Sequence, residues 1–225
     1  MVLRARYILQ IIAISFFAWS AWIFYGYFFD KNLPQIDLLG LEEMGYYCND
    51  LHCTLIGKDS YKIGNVSVWL DDKVLVKNFK INKKEFEYEI PIDTATITDG
   101  KHTLKVEVEN STFSKNKSLV VRDFYVDNVP LQAAFVKPAS EYKILQGRTF
   151  HLQFQVNKPI KNATVQIASN SYSCFAESQG SNIYEAYIPI KAEEKPNEYP
   201  LSVEIIDQVG TKFTLEGKFQ VTGAA

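Results

Sequence analysis

The side chains that could do chemistry in this chain are few. The three histidines are His52, His102 and His151, and a zinc hydrolase needs imidazole and carboxylate ligands gathered around one metal. His102 and His151 fall in strand-like segments from different parts of the chain, so we do not expect them to share an ion. Cys48, His52 and Cys53 would supply three zinc ligands, but no fourth lies nearby. We therefore expect no metal site and no cofactor.

Catalytic motifs of other hydrolase classes are also missing from the sequence. A serine hydrolase would carry a G-x-S-x-G turn between a strand and a helix, and none occurs. Paired carboxylates for glycoside hydrolysis must face each other across a cleft, whereas the acidic pairs here are neighbours in turns or spacers. No glycine-rich phosphate loop occurs either. We expect no catalytic residue. The acidic pairs are Glu42-Glu43, Asp71-Asp72 and Glu193-Glu194.

The three cysteines allow two interpretations. Cys48 and Cys53 are close enough in sequence to close a small loop as a disulfide, which would persist in an oxidising compartment and leave Cys174 unpaired. The alternative is that all three thiols are reduced and buried. Spacing alone does not fix the geometry of a disulfide, so both interpretations stay open.

The N-terminal segment predicts a membrane anchor. No charged residue occurs from Tyr7 to Phe29, and as a helix this stretch would be about 34 Å long, enough to cross a bilayer. Arg4 and Arg6 precede it, while Asp30 and Lys31 cancel on the other side. This charge bias predicts a cytoplasmic N-terminus.

A cleaved signal peptide is the alternative interpretation of the same segment. Ala18-Trp19-Ser20 is a poor small-x-small cleavage site, and the apolar run continues well beyond it. The sequence therefore favours an uncleaved anchor. We expect residues 1–29 to form a cytoplasmic tip and a transmembrane helix of a single-pass inner or plasma membrane protein, with residues 7–29 in the membrane and the remainder extracytoplasmic.

Composition indicates a globular extracytoplasmic part without affinity for nucleic acid. Of the 225 residues, 47% are hydrophobic and 14% aromatic, which suits β structure and is too apolar for a disordered chain. The formal net charge is −2. Because nucleic acid binding needs a basic field, no nucleic acid partner is expected.

Three strand-like segments of the first half return in the same order in the second half, between 95 and 98 positions later. This interval is about the length of one immunoglobulin domain. The fold class predicted is all-β, with two tandem immunoglobulin-like β-sandwich domains after the transmembrane helix. The segments are Glu89–Ile92, Leu104–Val108 and Phe124–Val126, which return as Tyr187–Ile190, Leu201–Ile205 and Phe219–Val221.

The junction between the two copies lies at Asp127, Asn128 and Pro130. Proline cannot donate a ladder hydrogen bond, so we expect an interdomain linker there. A calcium site as in cadherin linkers is the alternative, but calcium needs six or more oxygens and too few are at hand. The expected divisions are a spacer at 30–45, the first sandwich at 46–128 and the second sandwich at 129–225.

Two further expectations concern the sheets. Pro91 and Pro189 occupy equivalent strands of the two copies, so these strands should lie at a sheet edge or carry a bulge. The loop from Ser169 to Asn182 carries Tyr172 and Phe175 among polar residues, and end loops of sandwiches commonly bind partners. We take Tyr172 and Phe175 as candidate contact residues; a strand pair with a polar turn is the alternative.

Four segments resemble a known family. They are similar to the membrane-anchored, immunoglobulin-like N-terminal region that precedes the catalytic domain in some bacterial lysostaphin-type murein endopeptidases. Those zinc metallopeptidases cleave cell-wall crosslinks with ligands from H-x-x-x-D and H-x-H motifs. Neither motif occurs here, so the resemblance carries over no catalytic residue. The segments are Asp123–Phe135, Gln146–Phe150, Phe154–Ile160 and Asn197–Tyr199.

Two functions follow as expectations. In the first, the chain is a non-catalytic anchor and spacer for a peptidoglycan hydrolase domain that would follow Ala225, and zinc would belong to that domain alone. In the second, the chain is a free-standing adhesion or ligand-binding protein of the cell envelope. The partner would be the cell wall or an envelope protein in either case.

Overall fold

A computed structural model describes residues 2–137 and 142–223. The chain divides into two compact units, Met1–Asn128 and Val129–Ala225. Helix α1, Val2–Phe29, opens the first unit. Its window Gln10–Phe29 has a mean hydropathy of 1.6 and is not buried, so the helix is long and apolar enough to span a membrane.

The rest of the first unit forms one sheet of six strands. Their order is β1-β3-β5-β6-β2, with β4 paired to β3. The predicted all-β, immunoglobulin-like fold is confirmed. The strands are β1 (Gln35–Leu39), β2 (Gly45–Tyr47), β3 (Asp50–Leu70), β4 (Lys73–Asp93), β5 (Gly100–Asn110) and β6 (Lys117–Val126).

A long ribbon of β3 and β4 organises this unit. β3 pairs with β1 through residues 54–58 and with β5 from Ile63 onward. Between these two parts, residues 59–62 of β3 lie opposite the single residue Lys84, so the ribbon is interrupted by a large bulge, which bends a strand. Leu55 before the bulge and Val66 after it are both fully buried in one core. The sheet therefore curls around a single core.

The spacer expected at residues 30–45 is wrong for its second half. Residues 35–39 form β1 in antiparallel register with β3. Leu38 and Leu41 are buried in the core of the first unit. The segment is too short, and too broken by Asp37, to show alternation in the sequence, and its strand exists because β3 offers it a ladder.

The second unit is a sandwich of two sheets, with orders β12-β13-β9-β7 and β11-β10-β14-β15-β8. The strands are β7 (Ala133–Lys137), β8 (Tyr142–Leu145), β9 (Thr149–Val156), β10 (Ile160–Ile167), β11 (Asn170–Ser173), β12 (Phe175–Ala176), β13 (Ile183–Pro189), β14 (Asn197–Asp207) and β15 (Lys212–Thr222).

Both prolines lie where a strand has a free side. Within the described residues, β4, which holds Pro91, pairs with β3 alone. Pro189 pairs with Thr149 of β9. On the other side of β13, the pairing with β12 ends at Phe175 and Glu185, so it does not reach Pro189. The predicted edge position is confirmed for the strand of Pro91, whereas β13 lies inside its sheet and only its end at Pro189 is unpaired on one side in the described pairing.

A buried ion pair secures the start of the second unit. The Lys158 ammonium lies 2.8 Å from the Asp207 carboxylate, and these side chains are 9% and 1% exposed. The same ammonium donates to the carbonyl of Val129 at 2.6 Å. The Asp207 carboxylate also accepts from the Thr211 backbone N–H at 2.7 Å, which fixes the turn between β14 and β15. One pair of charges therefore ties three segments together.

Replacing Lys158 with methionine should destabilise the second unit by about 3–5 kcal/mol, because the Asp207 carboxylate would remain buried without its cation. Lys212→Met is the matched control, since its partner Glu204 is 44% exposed at 3.5 Å and such surface pairs contribute about 0–1 kcal/mol. Denaturant unfolding of both variants measures the difference. Equal, small losses would contradict the role assigned to the pair.

Candidate functional site

The last turn of α1 contacts the turn between β5 and β6. The backbone N–H of Phe113 donates to the carbonyl of Tyr27 at 3.3 Å, and the Ser114 hydroxyl donates to the carbonyl of Phe28 at 3.2 Å. The rings of Phe28 and Phe113 lie 4.8 Å apart. Since the last carbonyls of a helix have no partner within the helix, these donors cap it from the sandwich.

A buried carboxylate completes this connection. Asp30 is 7% exposed, and its Oδ1 accepts from the backbone and side chain of Asn32 at 3.1 and 2.9 Å. Its Oδ2 accepts from Asn110 Nδ2 at 3.2 Å, and its carbonyl accepts from Asn116 Nδ2 at 2.8 Å. Hydrogen bonds to an ionised acceptor are the stronger class. We call Phe28, Asp30, Asn110, Phe113 and Asn116 the helix clamp.

Gly26 permits close approach on another side of the helix. A Cβ atom at this position would overlap the hydroxyl of Tyr61, which lies in the bulge of β3. The bulge is held by Asp59, whose carboxylate accepts from the Tyr61 backbone N–H at 2.8 Å. These contacts join residues far apart in the chain, so no local sequence pattern predicts them.

The predicted linker residues are each held by their own unit. The Asp127 N–H donates to the carbonyl of Tyr47 at 3.0 Å, and the Asn128 side chain donates to the carbonyl of Thr94 at 2.8 Å. In the second unit, the carbonyl of Pro130 accepts from Asn157 Nδ2 at 2.9 Å. Among the described residues, no group of three or more histidine, cysteine or acidic side chains could hold a metal.

Of the two interpretations left open for the cysteines, the disulfide between Cys48 and Cys53 is not formed, and Cys174 is also a free thiol. Cys53 points into the core of the first unit and is fully buried, whereas Cys48 is partly exposed just before β3. Burial raises the pKa of the Cys53 thiol, and likewise that of Cys174, to about 11. These two thiols are therefore unreactive core side chains.

The buried imidazole of His102 has a structural role. Its Nδ1 lies 2.8 Å from the Asp71 carboxylate and its Nε2 lies 2.7 Å from the carbonyl of Thr98. Both neighbours can only accept, so both ring nitrogens carry protons. Burial lowers the pKa of His102, but the hydrogen bonds to Asp71 and Thr98 outweigh it and the pKa is raised. An imidazole with both nitrogens occupied cannot serve as a general base, although it lines an open cavity of about 540 Å³.

The candidate contact residues Tyr172 and Phe175 have different environments. Tyr172 is half-buried and packs against the core of the second unit, so it serves the fold. Phe175 is 69% exposed and lies directly opposite Glu185 in the pairing of β12 with β13. Phe175 therefore lies on the outer face of a sheet and not in a loop.

On that face, Tyr187 is 60% exposed and stacks on His151 with ring centroids 4.5 Å apart. His151 Nε2 and Gln153 Nε2 lie 2.9 and 3.1 Å from Glu185 Oε2. The hydrogen bond with His151, followed by that from Gln153, lowers the pKa of Glu185. We call Phe175, Tyr187, His151 and Glu185 the aromatic face. Tyr187 alternates with the buried Ala186 and Ile188, and this alternation is the sequence signal that could have placed it on the outer face.

Comparisons with known proteins identify no family for this chain. No protein-family model and no curated protein sequence matches the chain. Among solved structures, the ICAM-5 D1-D4 ectodomain fragment aligns with a TM-score of 0.49 at 10% identity, covering 84% of this chain and 54% of that one.

Two other structures align over a similar length. The fibronectin(III)-like modules of Clostridium thermocellum CbhA give a TM-score of 0.47 at 10% identity, over 84% of this chain and 95% of that one. Rst D1-D2 gives 0.46 at 9% identity, over 84% and 99%. These neighbours are immunoglobulin-like or fibronectin-III-like, and likeness at such identities concerns the fold alone.

Replacing Asp30 with alanine should loosen the helix clamp, because the amides of Asn32 and Asn110 lose an ionised acceptor. Each such hydrogen bond contributes about 1.5–3 kcal/mol. Hydrogen exchange of the turn at residues 111–116 should become faster in the variant. Asp37→Ala is the matched control, since that carboxylate is exposed and accepts only from Leu38 in the described contacts. Equal exchange in both variants would contradict the clamp.

The stability of the first unit should depend on the protonation of His102. Because its folded pKa is raised above 6.5, this stabilisation is fully present below about pH 6.5 and is lost as pH rises through the folded pKa. Denaturant unfolding between about pH 6 and pH 9 measures the loss, and His102→Gln should flatten the profile. A profile of the same slope in the variant would refute the assignment.

Proposed function

We propose that the chain is a non-catalytic, membrane-anchored module that holds two immunoglobulin-like units at the outer surface of a membrane. The N-terminus is cytoplasmic and α1 crosses the membrane once. The helix clamp is the observation that carries this proposal, because it joins the outer end of the apolar helix directly to the first unit.

The clamp supports an anchor over a cleaved signal sequence. Cleavage after Ser20 would leave residues 21–29 attached to the first unit as an apolar stub, in which Trp22 is 79% and Tyr25 66% exposed. Exposed apolar surface of this kind is unfavourable in water. In a bilayer, the same aromatic rings would lie at the headgroup level, which they prefer.

The work of such a module is to bind a partner, and the aromatic face is the surface best suited to it. Exposed tyrosine and phenylalanine side chains give much contact area for little loss of conformational entropy. His151 and Glu185 hold the Tyr187 ring in place before a partner arrives. The partner we propose is the cell wall or another envelope protein.

A finer proposal places the chain in front of a cell-wall endopeptidase domain. It is supported by the resemblance of Asp123–Phe135 and the three other segments to the anchor region of lysostaphin-type enzymes. Sequencing the coding region past Ala225 tests it. A following domain with H-x-x-x-D and H-x-H would support the spacer role, with zinc in that domain alone, and a stop codon would leave the adhesion or ligand-binding role.

Membrane topology is tested with tags at both ends of the chain. The protein should resist alkaline carbonate extraction, and protease added outside the cell should remove a C-terminal tag while an N-terminal tag stays protected. Ile12→Lys with Phe16→Lys should release it, since each central lysine costs about 2.5–3.5 kcal/mol in a membrane helix. Carbonate release of the unmodified protein would contradict the anchor.

Loss of the aromatic face should weaken partner binding without unfolding the chain. Phe175→Ala with Tyr187→Ala should lower co-sedimentation with purified cell-wall sacculi or with envelope fractions by roughly tenfold, as expected for truncated contact residues. Phe79→Ala, which removes another exposed ring at 46% exposure, is the control. Unchanged co-sedimentation of the double variant would exclude this face as the contact surface.

A further inference from the structure

An exposed aromatic side chain lies beside the outer end of α1. Phe113 is 67% exposed at the tip of the turn between β5 and β6, although its ring contacts Phe28. Phe29, the last residue of α1, and Leu33, four positions later, are 63% and 62% exposed. These three side chains extend the apolar surface of the helix onto the first unit.

The same end of the first unit carries exposed lysines. Lys62 accepts through its carbonyl from the Ser111 N–H at 2.7 Å, which places it at the turn that carries Phe113. Lys83 lies opposite Ile63, which lies opposite Asn110 of the helix clamp, so two strand spacings, about 10 Å, separate it from the clamp. Lys115 lies in the turn itself.

Acidic side chains do not cancel this charge. Asp30 and Asp59 are both 7% exposed, and Glu109 forms an ion pair with Lys117. Lysines on an edge strand guard against aggregation, which would explain Lys83 on β4. That explanation does not extend to Lys62 and Lys115, which lie off that edge, or to an exposed phenylalanine beside them.

We propose that this end of the first unit is a second membrane contact, in which Phe113 enters the headgroup region and Lys62, Lys83 and Lys115 bind anionic lipid headgroups. The inference rests on the proposed membrane anchor. The partner of this patch is a lipid surface, because the patch is continuous with the apolar helix and carries the positive charge that anionic leaflets attract. Each lysine near such a surface contributes roughly a fivefold preference for the bound state.

Spin labels on the full chain in bilayers test the contact. A Cys48→Ser background leaves the buried Cys53 and Cys174 protected from labelling. Single cysteines then replace Phe113, Val74 at the opposite end of the sandwich, or Phe17 in the helix. Val74 is the matched control because it is 46% exposed and lies in the ladder near the hairpin turn at Asp71.

In bilayers containing phosphatidylglycerol, the label at 113 should be reached by oxygen in preference to a water-soluble nickel chelate, and the label at 74 should show the reverse. Replacing Lys62, Lys83 and Lys115 by glutamine in one variant should reduce the ratio of chains with residue 113 in lipid to chains with residue 113 in water by roughly 100-fold. The matched control is Lys73→Gln with Lys77→Gln, which should leave the ratio unchanged.

The outcomes separate this inference from the anchor. Nickel access at 113 equal to that at 74, with the label at 17 in lipid, would overturn the second contact and leave the anchor intact. Nickel access at 17 would refute the anchor itself. Oxygen access at 113 that is equal in zwitterionic bilayers and unaffected by the triple variant would overturn the binding of anionic headgroups.

Discussion

The buried carboxylate of Asp30 is the interaction on which the arrangement of the first unit depends. It accepts hydrogen bonds from Asn32, three positions after the helix ends, and from Asn110, the last residue of β5. A buried carboxylate is costly unless it is hydrogen-bonded, so the buried position of Asp30 depends on these donors. Asp30 immediately follows an apolar helix. Its hydrogen bonds therefore also determine where the strands of the first unit lie relative to the proposed membrane.

The same principle operates at the start of the second unit, with a different chemical group. Lys158 and Asp207 bury opposite charges and fix Val129, whereas His102 and Asp71 fix the hairpin turn that precedes β4. The side chains of Lys158, Asp207 and His102 are buried in these contacts, whereas that of Asp71 is 47% exposed.

Much of the second unit could be predicted from the sequence, because its strands alternate cleanly and are bounded by turn residues. The inward row of Phe150, Leu152 and Phe154 is an example, and all three side chains are fully buried. The first unit was harder. The segment Asp59–Lys62 is mostly polar, yet it forms a bulge inside one strand, and only the pairing of β3 with β4 and β5 decides this.

The candidate site could be predicted only in part. Phe175 was identified because it is an aromatic residue among polar residues of a loop. The position of Tyr187 on the same face depends on the register of β13 with β9. Asp30 looked like a charge cancelled by Lys31, and its burial depends on Asn110, 80 positions later. The sequence left a disulfide between Cys48 and Cys53 open for a similar reason, since only the pairing of β3 shows that Cys53 faces the core, away from solvent.

Chemical crosslinking between the helix and the first unit tests the central claim most directly. With Cys48→Ser as background, Phe28→Cys with Phe113→Cys should react with a short bifunctional thiol reagent in native membranes, since the two rings lie 4.8 Å apart. Phe24→Cys with Phe113→Cys, one helical turn deeper, should react far less. Equal yields for the two pairs, or no crosslink in either, would contradict a first unit clamped to the end of the helix.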